Sequence, residues 1–89
     1  MITQQQLDRI GQLAAGQPVL ETVVERLRSC FRDIHFTYCR DEDVVAAKPV
    51  FQERAFKLYL IDSRNPCVCF TQDMEVATGV VLAEIEEDQ

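Results

Sequence analysis

The sequence predicts a single α+β domain over residues 1–89, in the order ααββα: two N-terminal helices, an antiparallel sheet of about three strands and a C-terminal helix. Three observations carry this expectation. Apolar residues repeat at helical spacing up to Phe31, the period changes from 3.6 to 2 after Asp33, and a helical stripe returns after Thr71. Eighty-nine residues leave room for one core, and 47% apolar with 27% charged residues is an ordinary globular composition. No internal repeat or low-complexity linker divides the chain.

Thr3 is placed to cap a helix running to Ala15, with Leu7, Ile10 and Ala14 on one stripe. Ile2 before the cap and Leu7 after it are spaced as a hydrophobic staple, and Gly16 ends the element. Pro18 suits the first turn of a second helix, in which Leu20, Val23, Val24, Leu27 and Phe31 share a face. Arg26, Arg28 and Arg32 stand near its C-terminal end, where cations complement the helix dipole.

Beyond Asp33, Ile34, Phe36 and Tyr38 alternate with His35, Thr37 and Cys39, as in a half-buried strand. Asp41, Glu42 and Asp43 then open a short helical turn that ends before Pro49. In RAFKLYLID, Phe56, Leu58 and Leu60 oppose Lys57, Tyr59 and Ile61. The breaker-rich Ser63-Arg64-Asn65-Pro66 leads to CVCFT, where Val68 and Phe70 oppose Cys67, Cys69 and Thr71, so the two runs read as a hairpin. Last, Thr71 or Asp73 can cap a helix whose stripe is Met74, Ala77, Val81 and Ile85, although Gly79 and the pair Val80-Val81 weaken it and leave a fourth strand as the other choice.

Charge is unevenly spread. The net charge is −6, and Asp73, Glu75, Glu84, Glu86, Glu87 and Asp88 account for all of it, ending in an acidic tail at about residues 84–89. Such a balance repels a phosphate backbone and an anionic membrane surface, which argues against nucleic-acid and membrane partners. MITQQQLD has neither the cationic start nor the apolar stretch of a signal peptide, and no apolar run approaches the roughly 18 residues of a membrane span. A cytoplasmic location is expected, and with it four unpaired thiols at Cys30, Cys39, Cys67 and Cys69.

The strand phases put His35, Cys39, Cys67 and Cys69 on one sheet face, opposite Phe36, Leu58 and Phe70. Three thiols and an imidazole suit zinc or an iron-sulfur cluster. Spacing speaks against it. A C-x-C pair in a strand spans about 6.6 Å, His35 and Cys39 fall about 10 Å away if the Phe56–Ile61 strand lies between, and no C-x₂₋₄-C knuckle is present. The expectation is therefore no cofactor and cysteines packed as small hydrophobes, with a metal or cluster carrier as the alternative. A third reading, thiol redox sensing, requires a thiol of lowered pKa. No recognised catalytic motif is present, and Asp41, Glu42 and Asp43 read as a solvated cap without the glycine and final glutamate of a calcium loop, so the chain is read as non-enzymatic. Tyr59 and Ile61 make the sulfur-bearing face semi-apolar, to be covered by a helix or by another protein. Phe51 is a further contact candidate, or a loop anchor facing the core.

At HFTYCRDEDV, the A-x-P of Ala47 to Pro49, FKLYLID, CVCFTQD and ATGVVLAEIEED, the sequence resembles a family of small proteins encoded among nitrogen-fixation genes of proteobacteria. The likeness covers roughly Asp33 to Asp88, and its patterns are fold-like with no functional residues to transfer. The resemblance implies an accessory factor that binds a nitrogenase component, chiefly the molybdenum-iron protein, and stabilises or protects it during maturation or turnover. Asp41, Glu42, Asp43, Phe51, Tyr59 and Ile61 are the expected partner contacts. The alternative carrier would use Cys39, Cys67 and Cys69 with His35.

Overall fold

The computed structural model describes residues 1–63 and 69–86. Its elements are α1 (Gln4–Ala14), α2 (Leu20–Cys30), β1 (His35–Arg40), a 3₁₀ turn (Asp41–Asp43), β2 (Phe51–Gln52), β3 (Phe56–Asp62), β4 (Cys69–Thr71) and β5 (Gly79–Glu84).

Both helices form where the 3.6 period places them. Thr3 caps α1 reciprocally: its Oγ1 accepts from the Gln6 amide at 3.1 Å, and Gln6 Oε1 accepts from the Thr3 amide at 2.9 Å. Ile2, Leu7, Ile10 and Ala14 are buried, and the Ile2 amide donates to Met74 O at 2.9 Å, tying the chain start to the turn before β5. The second helix begins at Leu20 with Val19 as a cap that offers no side-chain bond, so Pro18 precedes the helix. Leu20, Val23, Val24 and Leu27 bury its inner face.

The sheet departs from the expected antiparallel three-stranded one. Among the described residues it has five strands and is mixed, in the order β1-β5-β3, with β2 and β4 sharing the far edge of β3. The third strand runs antiparallel to β2, β4 and β5, whereas β1 and β5 are parallel. Among the described residues there is no C-terminal helix. Asp73 does cap a turn, its Oδ1 accepting from the Glu75 amide at 2.9 Å, but the turn stops at once and the chain enters β5. Gly79, Val80, Val81, Leu82 and Ala83 are all buried, as befits a strand flanked on both sides and covered on both faces. A strand buried on both faces loses its period of two, and the stripe of Met74, Ala77, Val81 and Ile85 was a coincidence of spacing. Gly79 is required by crowding: a Cβ there would lie 2.8 Å from His35 O and 3.0 Å from Ile61 Cγ1.

Two faces result. Phe36, Phe56, Leu58, Leu60, Val80 and Leu82 pack beneath the helices, each fully buried side chain of this size contributing about 1.5–3 kcal/mol. Phe51 joins them: its ring sits on Gly11 of α1, where an added Cβ would come within 2.2 Å of Cζ, and it stacks on Phe56 at 6.2 Å between centroids. Tyr59, Ile61, Val81 and Ala83 form the opposite face. Among the described residues, no helix is long and apolar enough to cross a membrane.

Candidate functional site

The connection from β1 to β2 folds back over the second face. Val44 and Ala47 pack on Tyr59, Ile61, Val81 and Ala83 together with Cys39. Polar bonds latch it: Tyr59 OH donates to Asp41 Oδ1 at 2.8 Å, and Lys57 Nζ lies 3.6 Å from Asp41 Oδ2. Ala46 supplies the bend with φ of 59°, a left-handed conformation that glycine adopts more easily than alanine. The Val50 amide then donates to Leu58 O at 2.8 Å and starts the pairing of β2 with β3.

This cover corrects the expected docking face. Tyr59 is 4% exposed and Ile61 is buried, so neither is offered to a partner. The physical reason is economy of apolar surface: a semi-apolar face next to a tethered segment of Val44 and Ala47 is covered by that segment at little extra cost in chain entropy. Asp41 is half-buried in the latch, Phe51 is a core anchor, and Glu42 and Asp43 are exposed on the 3₁₀ turn.

The sulfur cluster does not assemble as the strand phases suggest. Ile61 stands opposite Phe70 and Asp62 opposite Cys69, and residues paired across an antiparallel ladder share a face. Phe70 therefore lies with Tyr59 and Ile61, and Cys69 projects to the helix side, away from His35 and Cys39. A slip of one residue in β4 reverses every side chain it carries. Cys67 and Val68 lie outside the described residues. Among the described residues, no three His, Cys, Asp or Glu side chains come together as a metal-holding group. Burial pushes the Cys39 thiol up, and Asp43 and Asp41 add to the shift, which is the opposite of what a reactive thiolate needs.

The same reversal creates a surface that the sequence pattern hid. Phe70 meets Tyr59 edge-on at 5.6 Å between centroids and leaves 44% of itself exposed. Beside it runs a groove of about 260 Å³ lined by Ala46, Ala47, Lys48, Phe70, Thr71 and Gln72. Val45, 79% exposed, stands at the bend. A wider depression of about 580 Å³ along α1 is lined by glutamines, Asp8, Arg9 and Phe31, and is polar by comparison. Pairing across β3 was the signal that would have found Phe70, and it is not legible in a strand of three residues.

The matching family model spans residues 5–85 and is described as a family of unknown function, DUF6129. The chain belongs to that family. No curated protein and no solved structure matches it. Membership in DUF6129 thus assigns no function, and the reading rests on the groove and on the resemblance described above.

Proposed function

We propose that this chain is a non-enzymatic, cytoplasmic accessory protein that docks on a nitrogenase component, the molybdenum-iron protein, and stabilises or protects it during maturation or turnover. The docking surface in this reading is the groove beside Phe70. The observation that carries it is the 44% exposure of an aromatic ring already braced by Tyr59, since a rigid, half-exposed aromatic contributes large contact area at little entropic cost. Val45 extends the apolar patch, and Glu42 and Asp43 on the same connection steer it toward a basic surface. The choice of partner is supported by the sequence resemblance over Asp33 to Asp88. The net charge of −6 disfavours nucleic acid and anionic lipid as competing partners.

Titration of purified molybdenum-iron protein with the chain tests this directly. Saturable binding by the wild type, weakened about tenfold or more in Phe70→Ser, is the expected outcome for a central aromatic contact. Absence of binding by the folded wild type overturns the partner. Equal binding by wild type and Phe70→Ser overturns the groove.

A further inference from the structure

The groove beside Phe70 has two walls of different construction. Phe70, Thr71 and Gln72 belong to β4 and its end, which strand pairing holds to β3. Ala46, Ala47 and Lys48 belong to the connection between β1 and β2, and among the described residues no backbone–backbone hydrogen bond ties residues 45–49 to the sheet. Ala46 is also held at a φ of 59°, a conformation that alanine keeps only while its surroundings impose it. This wall is secured at its ends, where the Val44 amide donates to Asp41 O at 3.0 Å and the Val50 amide to Leu58 O at 2.8 Å, and by what lies beneath it.

Tyr59 lies beneath it and reaches both walls. Its ring meets Phe70 edge-on at 5.6 Å between centroids. Its hydroxyl donates to Asp41 Oδ1 at 2.8 Å, at the root of the connection, and Lys57 Nζ lies 3.6 Å from the other oxygen. Val44 and Ala47 rest on the same apolar set, with Cys39 beside them. The ring that braces the Tyr59 phenol thus also aims its hydroxyl at Asp41. We propose that residues 41–50 form a strap whose closure makes the groove, with Tyr59 as the positioning residue between the two: a partner seated between the walls holds the strap shut, and release of Asp41 dismantles the docking site. Docking enters through the role proposed above for the groove, whereas the tie between strap and groove is a property of the chain alone. A partner that touches both walls binds the closed form only, so each contact it makes to Ala46, Ala47 or Lys48 is a bias against opening.

Cys39 packs beside the strap and Cys30 is exposed, so alkylation of Cys39 relative to Cys30, read by mass spectrometry, reports strap opening. In the chain alone, Phe70→Ser is expected to speed alkylation of Cys39 about threefold, the loss of one edge-on aromatic contact, with Cys30 unchanged. In a Tyr59→Phe background the ring has no hydroxyl to aim, and the same substitution should change the Cys39 rate by less than about 1.5-fold. Equal factors in the two backgrounds, as a merely destabilising role of Phe70 gives, overturn the tie, and so does a Phe70→Ser chain whose Cys39 reacts at the wild-type rate. Saturating molybdenum-iron protein should slow Cys39 in the wild type by about tenfold or more. Binding without slowing overturns the proposal. Absence of binding removes the partner proposed above, and the comparison of the two backgrounds then decides the strap.

Discussion

On one side of the sheet, Phe36, Leu58, Leu60, Val80 and Leu82 lie beneath two helices; on the other, Tyr59, Ile61, Val81 and Ala83 lie beneath a single irregular connection. Both sets are buried, yet the covers differ in kind. The helices present whole apolar stripes to the sheet and satisfy their own backbone groups. The connection presents Val44 and Ala47 and depends on the bonds of Asp41 to Tyr59 and Lys57 to stay in place. A cover of few apolar contacts and solvent-exposed backbone opens at lower free energy than packed helices. The difference teaches that alternation along a strand sorts side chains into two sides without saying how firmly each side is closed. It also places the groove at the margin of the weaker cover.

Substitutions on the two faces separate these covers, and the largest effect is expected under the helices. Leu58 is fully buried there, and Leu58→Ala should lower unfolding free energy by about 2–5 kcal/mol in denaturant titration. Gly79→Ala strikes the strand that both faces share, pressing a methyl on the His35 carbonyl, and should cost about 1–3 kcal/mol. Tyr59→Phe removes one bond of the latch alone. Its global cost should be about 1 kcal/mol, while the alkylation rate of Cys39 beneath the connection rises toward that of exposed Cys30. Equal alkylation of Cys39 before and after the substitution would show that the latch does not hold the cover.

The latch also carries a signature at alkaline pH. Burial, followed by the hydrogen bond to Asp41, pushes the Tyr59 hydroxyl up from 10 to about 12, and Tyr38 is raised to about 12 chiefly by its hydrogen bond to Glu84 and then by burial. Each phenol is thus favoured in its protonated form by folding. That stabilisation is whole below pH 10 and is lost as pH rises toward 12, because the unfolded chain releases its protons first. In Tyr59→Phe the alkaline decline should be shallower than in the wild type, as followed by circular dichroism. The smallest effect is expected at the bend: Ala46→Gly relieves a left-handed alanine but loosens the unfolded chain, leaving stability within about 1 kcal/mol of wild type.

The helices were legible because Leu20, Val23, Val24 and Leu27 repeat with one period along one element, and the phase of β1 and β3 was legible for the same reason. Local pattern failed where long-range pairing decides. Val80 to Ala83 are apolar on every side because β1 and β3 flank them, and from the sequence that run passes for part of a helix. The parity of Phe70 and Cys69 is set by their partners Ile61 and Asp62 rather than by their own neighbours. Asp41 reads as a solvated cap, and its bond to Tyr59 joins residues far apart in the chain. Half of the candidate site, Ala46 to Lys48, sits in a segment without periodicity, and the other half rests on a strand too short to show any.

Hydrogen–deuterium exchange of the chain, alone and in the presence of the molybdenum-iron protein, tests most directly whether the loop-covered side is the working surface. Protection should increase in residues 44–50 and 70–72, with α1 and β3 unchanged. Protection confined to α1 and α2, or no change at any segment, would contradict it.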